Sequence, residues 1–128
     1  MKNNYFKFFF ILSLLFFINL VSSANEQFNF DITELEIKDD GNKFFGKKRG
    51  IATTTDGLYI EADEFEYDKI SNILIVTGKV KFNDKSTNFQ IYSDKATYIK
   101  NNEKVFTEGN SKAINNDGVT ITADKLEY

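Results

Sequence analysis

The 128-residue sequence contains no histidine, cysteine, tryptophan or proline. Without histidine and cysteine there is no imidazole general base, no Cys–His or Ser–His–Asp arrangement, no cysteine-based zinc site and no disulfide framework. Carboxylates, lysines and hydroxyls remain, so the composition disfavours catalysis without excluding it. We therefore expect a protein that is not an enzyme, with no catalytic residue, no metal site and no cofactor.

Residues 1–24 have the layout of a cleavable secretory signal peptide. Lys2 and Lys7 precede the apolar run Phe8–Val21, and Ser22-Ser23-Ala24 places small residues before a cut after Ala24. As a helix this run would rise only about 21 Å, short of the roughly 30 Å hydrocarbon core, which disfavours an uncleaved anchor. The leader predicts export, with a mature domain at 25–128.

The charge of the mature domain disfavours one class of partner. The full chain has a net charge of −3, and removing the leader, which holds two lysines and no acidic residue, makes it −5. Nucleic-acid binding needs a basic stripe that neutralises phosphates. We therefore expect no nucleic-acid partner.

An internal repeat of about 31 residues organises the mature domain. A first unit occurs at 58–67, 89–98 and 119–128, with a weaker copy at 28–37. Each copy from 58 onward carries an aspartate at the same place: Asp63, Asp94 and Asp124. A second unit at 74–82 and 105–113 carries Gly78 and Gly109 in mid-segment. Such a repeat is typical of a stack in which each copy buries its apolar face against its neighbours.

Apolar and polar residues alternate within each unit, which indicates half-buried strands. The alternation slips by one residue at each repeated aspartate, which predicts a bulge or corner at that point. We expect the aspartate carboxylates to cap backbone donors freed by the break in the ladder, as a structural role. The pattern predicts strands at 28–37, 44–54, 58–67, 72–82, 89–99, 104–114 and 119–128.

The phase of the alternation also assigns the two faces of the strands. Finding Ile60 exposed and Glu61 buried would mean a register wrong by one residue. The outward set is Tyr59, Glu61, Glu66, Lys79, Lys81, Lys95 and Lys125. The inward set is Leu58, Ile60, Phe65, Leu74, Val76, Val80, Phe82, Phe89, Ile91, Val105, Val119, Ile121 and Leu126.

The motif Ile60-x-Ala-Asp-x-Phe-x-Tyr67 is followed by Ile75-Val-Thr-Gly-Lys-Val80, and its last copy is Ile121-Thr-Ala-Asp-Lys-Leu-Glu-Tyr128. Repeated in register, it resembles the organic-solvent-tolerance (OstA-like) family of lipopolysaccharide-transport domains, which includes LptA, LptC and the N-terminal domain of LptD. The resemblance implies an all-β fold, an open β-jelly roll made of a V-shaped pair of antiparallel sheets. It also implies a periplasmic protein associated with the outer membrane.

The resemblance further implies a function and partners. The inward residues become candidates for an apolar groove that carries the acyl chains of lipopolysaccharide, and open edges would pair with other OstA-like domains. The cleavable leader is similar to LptA and to the front of LptD, and less similar to LptC, which keeps its N-terminal anchor. The segment Phe28–Gly57 before the cleanest repeat and the stop within a repeat are more similar to the LptD N-terminal domain than to LptA. The domain at 25–128 would then be truncated at its C-terminus, with an outer-membrane barrel as a partner or as a missing C-terminal part.

Two other classes of function remain open at this point. A purely structural or adhesive exported β-repeat protein would show the same alternation around a closed core. A glycosidase would need two carboxylates facing each other at roughly 5–9.5 Å, whereas the repeated aspartates fall at equivalent points of successive strands. Whether a fatty-acyl probe can enter the interior separates the groove from the closed core.

Overall fold

The computed structural model describes residues 28–128, so the leader predicted at 1–24 lies outside the described residues. This part of the chain is almost entirely strand, with two short 3₁₀ turns at Asp39–Gly41 and Lys100–Asn102, and none of its helices is long and apolar enough to cross a membrane. The strands are β1 Asn29–Lys38, β2 Lys43–Thr53, β3 Leu58–Ala62, β4 Glu64–Asp68, β5 Ile73–Asp84, β6 Phe89–Ile99, β7 Lys104–Ile114 and β8 Thr120–Glu127.

The predicted strand at 58–67 is divided into β3 and β4 at Asp63. The other six match their predicted ranges to within two residues. All pairs are antiparallel, in the order β1-β2-β3-β5-β6-β7-β8, and β4 pairs with β2 and β5 beside β3. One hydrogen-bonded sheet therefore holds every strand of residues 28–128.

This sheet is divided across its strands into two halves, which we call leaf A and leaf B. β3 pairs with one half of β2 and of β5, and β4 pairs with the other half of the same two strands. Leaf A comprises residues 29–32, 50–53, 58–62, 80–84, 89–93, 111–114 and 120–123. Leaf B comprises residues 34–38, 43–47, 64–68, 73–77, 95–99, 104–108 and 125–127.

The boundary between the leaves is a row of register shifts, which we call the corner: Thr33, Lys48–Arg49, Asp63, Gly78–Lys79, Asp94, Gly109–Asn110 and Asp124. The pairs β1–β2, β5–β6, β6–β7 and β7–β8 all shift register there. The extra residues in one strand of a pair bend the ladder locally. The phase slip read from the sequence thus marks the line along which the sheet bends.

Aromatic contacts show that the leaves face each other. Phe30 of leaf A lies 6.4 Å from Phe65 of leaf B, measured between ring centroids, and Phe82 of leaf A lies 5.9 Å from Tyr98 of leaf B. Neither pair is adjacent in the strand register. The sheet is therefore folded on itself, and the predicted antiparallel jelly roll is confirmed, with two layers made from the two halves of the same strands.

The predicted faces are confirmed by the burial of alternate residues. Ile60 is 1% exposed, whereas the Glu61 side chain keeps 27% of its surface exposed and pairs with Arg49. A register wrong by one residue would reverse these values. Glu66, Lys79 and Lys125 are exposed, and the other outward residues, namely Tyr59, Glu61, Lys81 and Lys95, are partly buried.

Candidate functional site

The inner face of the folded sheet holds most of the inward residues predicted from the sequence. Nine of the thirteen are buried, and Phe89 and Leu126 are partly buried against them. The buried nine are Leu58, Ile60, Phe65, Leu74, Val76, Val80, Phe82, Ile91 and Val105. Their shared burial establishes an apolar interior between the leaves, while contact with lipid stays a prediction.

Val119 and Ile121 were also predicted to point inward, but they do not belong to this buried set. Each is 56% exposed. Ile121 lies directly opposite the buried Ala113 on β7, so it shares the inner face of the sheet. It stays exposed because β8 is an edge strand with a neighbour on one side only.

The interior is closed by aromatic rings at the β1 end. Phe28 precedes β1 and packs edge-on against Tyr67 at 5.1 Å and Tyr98 at 6.0 Å, and it is 7% exposed. Phe30 stacks on Phe44 at 5.8 Å and also contacts Phe28. These rings come from both leaves, so they hold the two layers together at this end.

A cavity of about 450 Å³ lies between the leaves further toward β8. Its apolar lining comes from Leu58 and Phe82 of leaf A and from Tyr98 and Val105 of leaf B. Pockets of about 300–1000 Å³ with apolar walls are typical of small-ligand sites. The predicted groove residues Leu58, Phe82 and Val105 are thus brought together around open space.

A single stacked pair crosses the opening of this cavity. The rings of Phe89 and Tyr128 lie 3.9 Å apart at an interplanar angle of 8°, and the hydroxyls of Thr87 and Tyr128 lie 3.3 Å apart. Tyr128 is 41% exposed. The tips of the leaves are therefore joined here by the partly buried Phe89 ring stacked on the exposed Tyr128, in contrast to the buried cluster at the β1 end.

The rim of the cavity carries carboxylates at Asp56, Asp84 and Glu103. Partial burial alone would raise the pKa of Asp84, but hydrogen bonds from Ser86 and Thr87 outweigh it and the pKa is lowered. A charged rim of this sign repels phosphate and favours an uncharged ligand segment inside. An acyl chain fits these walls better than an anionic group.

Lys100, in the turn before β7, packs against the Phe28 ring. Its ammonium is buried, has no hydrogen-bond partner within the described chain, and sits 5.4 Å from the Phe28 ring centroid. The neighbouring Tyr67 hydroxyl donates to Asn72 Oδ1 at 3.0 Å, and burial followed by the nearby Asp68 charge raises the pKa of this tyrosine. Phe28 therefore covers both the ammonium and the tyrosine rings next to the cavity.

The repeated aspartates at the corner bind side chains, so the expectation that they cap backbone donors was not met. Arg49 donates from Nη1 to Asp63 Oδ1 at 2.9 Å and from Nε to Glu61 Oε1 at 3.0 Å. The hydrogen bond to Asp63 contributes most to raising the pKa of Arg49. Asn110 donates from Nδ2 to Asp94 Oδ2 at 2.7 Å. The backbone N–H of Asp63, in contrast, donates to the carbonyls of Thr77 and Gly78.

Sequence reasoning missed part of the site. Tyr67 and Tyr98 both contact Phe28, which comes from outside the strands and therefore from outside the repeat pattern. The copies of the repeat also differ in the size of their inner-face side chains. Ala96 and Ala113 stand one repeat after Phe65 and Phe82, and Phe89 stands one repeat after Leu58, so the later repeat has one ring fewer on its inner face.

No protein-family model and no curated protein sequence matches this chain. A solved structure is similar: LptH from Pseudomonas aeruginosa, described as the LptA-homologous periplasmic component of the conserved lipopolysaccharide transport device. The TM-score is 0.72 at 15% sequence identity, over 80% of this chain and 76% of LptH. The chain has the fold of LptH. At this identity the likeness shows the fold alone, and it agrees with the jelly roll expected from the repeat.

Proposed function

We propose that this chain is a non-enzymatic, periplasmic lipid-carrying domain of the OstA-like lipopolysaccharide-transport family. In this function the acyl chains of lipopolysaccharide pass along the interior between leaf A and leaf B toward the outer membrane. An exposed acyl chain costs about 0.8 kcal/mol for each CH₂ group in water, so transfer requires a covered apolar path.

The observation that carries this proposal is the cavity bounded by Leu58, Phe82, Tyr98 and Val105. It lies between the two leaves of a sheet that ends in an exposed edge strand. The similarity in fold to LptH, itself a periplasmic transport component, supports the same function.

The finer assignment is to the N-terminal domain of LptD in preference to LptA. The additional segment before the cleanest repeat supports it, while the predicted cleavable leader at 1–24 fits both. The partners would be lipopolysaccharide, other OstA-like periplasmic domains joined by edge-to-edge strand pairing, and an outer-membrane barrel. The candidate groove residues would be the thirteen inward positions, with Val119 and Ile121 covered only when a neighbour joins β8.

One observation favours a second function, a structural or adhesive exported β-repeat protein with a closed core. Nine of the candidate groove residues are already buried, and the aromatic cluster closes the β1 end. In that case the cavity would be a packing defect that takes up no ligand. Access of lipid to position 58 separates the two functions.

The test places a photoreactive benzoylphenylalanine at Leu58, with the same group at Tyr59 as the matched control. Leu58 is 7% exposed and lines the cavity, whereas Tyr59 is the next residue on the opposite face. Incubation with purified lipopolysaccharide and irradiation should crosslink lipid at position 58 and not at position 59. A free fatty acid should compete with the crosslink, because it occupies the same apolar space.

Two results would contradict the proposal. Absence of a lipid adduct at position 58, in a variant that keeps the β-type circular dichroism of the parent, would leave the closed structural core. Equal adducts at positions 58 and 59 would indicate nonspecific association with lipid micelles.

A further inference from the structure

The cavity between the leaves reaches the surface at the tips of the leaves. Its rim comes from the β2–β3 and β5–β6 connections of leaf A and from the turn before β7 in leaf B. The rim residues are exposed: Asp56, Ser86, Thr87 and Glu103. Deeper between the leaves, the walls are buried: Leu58, Phe82, Tyr98 and Val105. The opening therefore lies between the two rows of tips.

The Phe89–Tyr128 stack crosses this opening from one leaf to the other. Phe89 begins β6 in leaf A and lies opposite Asp84 of β5. Tyr128 follows β8 and is held to leaf B, because its N–H donates to the Val105 carbonyl at 2.9 Å and its carbonyl accepts from the Val105 N–H at 2.8 Å. Both backbones are fixed by pairings within the sheet. The contact is therefore independent of what lies beyond the outer edge of β8.

The Tyr128 hydroxyl ties the stack to a fixed point of leaf A. The hydroxyl of Thr87 donates to Asp84 Oδ2 at 2.9 Å, which commits its only hydrogen. The 3.3 Å contact between the Thr87 and Tyr128 hydroxyls is then a hydrogen bond that Tyr128 donates. Asp84 also accepts from the backbone N–H and the hydroxyl of Ser86, so it braces the whole connection.

The stack is a weaker link between the leaves than the aromatic cluster at the β1 end. Phe28 is 7% exposed and contacts three other rings, so its release would break three contacts. Tyr128 is 41% exposed and has one ring contact within residues 28–128. Exposed side chains change rotamer within picoseconds to nanoseconds. The leaves can therefore part at the Phe89–Tyr128 stack while the aromatic cluster still holds them together.

We propose that the Phe89–Tyr128 stack is a gate that controls how fast an acyl chain enters and leaves the cavity. The inference names the regulation of the cavity in the proposed function, and it rests on that function. Phe89 lies outside the cavity wall, so it acts on the ligand only through Tyr128. A gate that opens for entry and for exit changes both rate constants by the same factor, and their ratio, the Kd, stays the same.

The test measures both rate constants with cis-parinaric acid, a fatty acid whose fluorescence rises in apolar surroundings. Stopped-flow mixing with the purified protein gives the association rate constant, and displacement by excess palmitic acid gives the dissociation rate constant. Phe89→Ala removes the stack, so both rate constants should rise by about threefold or more, with less than about a twofold change in Kd. Tyr128→Phe keeps the stack and removes only the hydrogen bond to Thr87, so both should rise by about twofold.

Phe106→Ala is the matched control. Phe106 follows Val105 on β7, is partly buried and lies opposite Thr97 on the outer face of leaf B. The variant loses the same ring from the other side of the sheet, so both rate constants should equal those of the parent.

Four outcomes would overturn the gate. Parent rate constants in Phe89→Ala would show that the stack does not limit passage, and failure of the parent to bind parinaric acid would show that no acyl chain passes it. Faster dissociation alone, with a weaker Kd, would make Phe89 part of the binding wall. An equal rise in Phe106→Ala would indicate a general loosening of leaf B.

Failure of the gate and failure of the proposed function are distinguishable. The lipid crosslink from position 58 reports occupancy of the cavity at equilibrium, whatever the rate of entry. Loss of that crosslink would overturn the proposed function, whereas a crosslink together with unchanged rate constants in Phe89→Ala would overturn the gate alone.

Discussion

The β1 end and the β8 end of the molecule are built from the same repeat and differ in how the interior is filled. At the β1 end, Phe28, Phe30 and Phe65 pack between the leaves. Toward β8, Ala96 and Ala113 occupy the places that Phe65 and Phe82 hold one repeat earlier, and a cavity lies between the leaves. The repeat thus fixes the backbone, while the size of the inner-face side chains differs between its copies.

The same comparison holds for polarity at the corner. Val76 and Val80 flank the corner of β5, whereas the equivalent residues of β7 are Thr107 and Ser111. The Thr107 hydroxyl donates to Ser111 Oγ at 2.7 Å and accepts from the Leu126 backbone N–H at 3.1 Å. Hydroxyl hydrogen bonds therefore link β7 and β8 where packing links the earlier strands. The β8 end should tolerate changes that the β1 end does not.

The largest difference in stability is expected when a lysine is placed on the inner face, once in the packed interior and once on the edge strand β8. Val76 is 2% exposed, so Val76→Lys buries an unpaired ammonium and should lower the free energy of unfolding by about 3–5 kcal/mol, enough to unfold most of the protein. Ile121→Lys lies on the exposed edge strand and should change it by about 0.5 kcal/mol or less. Urea unfolding followed by circular dichroism measures both. Similar losses in the two variants would show that the interior is equally closed at both ends.

Removing one aromatic ring from each end should give a smaller difference in the free energy of unfolding. Phe28→Ala takes away a buried ring that contacts both leaves, and a loss of about 2–4 kcal/mol is expected. Phe89→Ala removes a partly buried ring stacked on the exposed Tyr128, with an expected loss of about 1 kcal/mol. The midpoints of urea unfolding, compared at constant slope, test the order. A greater loss from Phe89→Ala would mean that the tip pair, and not the aromatic cluster, holds the leaves together.

The smallest difference between the two ends is expected in how one turn at each end responds to acid. The turn after β4 is held by the Asp68 carboxylate, which accepts from the N–H groups of Ile70 and Ser71. The turn before β8 is held by the Asn115 amide, which accepts from the N–H groups of Asp117 and Val119. The hydrogen bond from the Ser71 backbone is the largest contribution that lowers the pKa of Asp68. Only the first turn should therefore respond to acid.

The direction in which stability changes with pH follows from the linkage between protonation of Asp68 and folding. Because the pKa of Asp68 is lower in the folded protein, its stabilising contribution is complete above the unfolded value of about 3.9 and is lost as the pH falls through the folded value. NMR titration should show the Ile70 and Ser71 amide resonances moving below about pH 4 while those of Asp117 and Val119 move less. Asp68→Asn should abolish that movement at Ile70 and Ser71, and an unchanged titration in the variant would assign the response to another group.

Much of this architecture could be predicted from the sequence, because the repeated order of apolar and polar residues determines where the strands run and where they bend. Alternation gave the strand ranges, and its slip at Asp63 located the corner, since both depend only on the order of apolar and polar residues. Three features depend on which strands become neighbours, so spacing did not reveal them. They are the Phe28 ring between Tyr67 and Tyr98, the Arg49 side chain on Asp63, and the exposure of Ile121.

The spacing between neighbouring strands also determines how long the interior between the leaves is. Neighbouring strands lie about 4.8 Å apart, so the seven strand positions of this sheet span about 29 Å along the interior. Each further repeat adds two strands, and hence about 10 Å, without altering the bend, because every corner carries its own pair of residues in the left-handed conformation. Duplication of 31 residues at a time would therefore lengthen the interior between the leaves in steps of about 10 Å, each with one further aspartate at the corner.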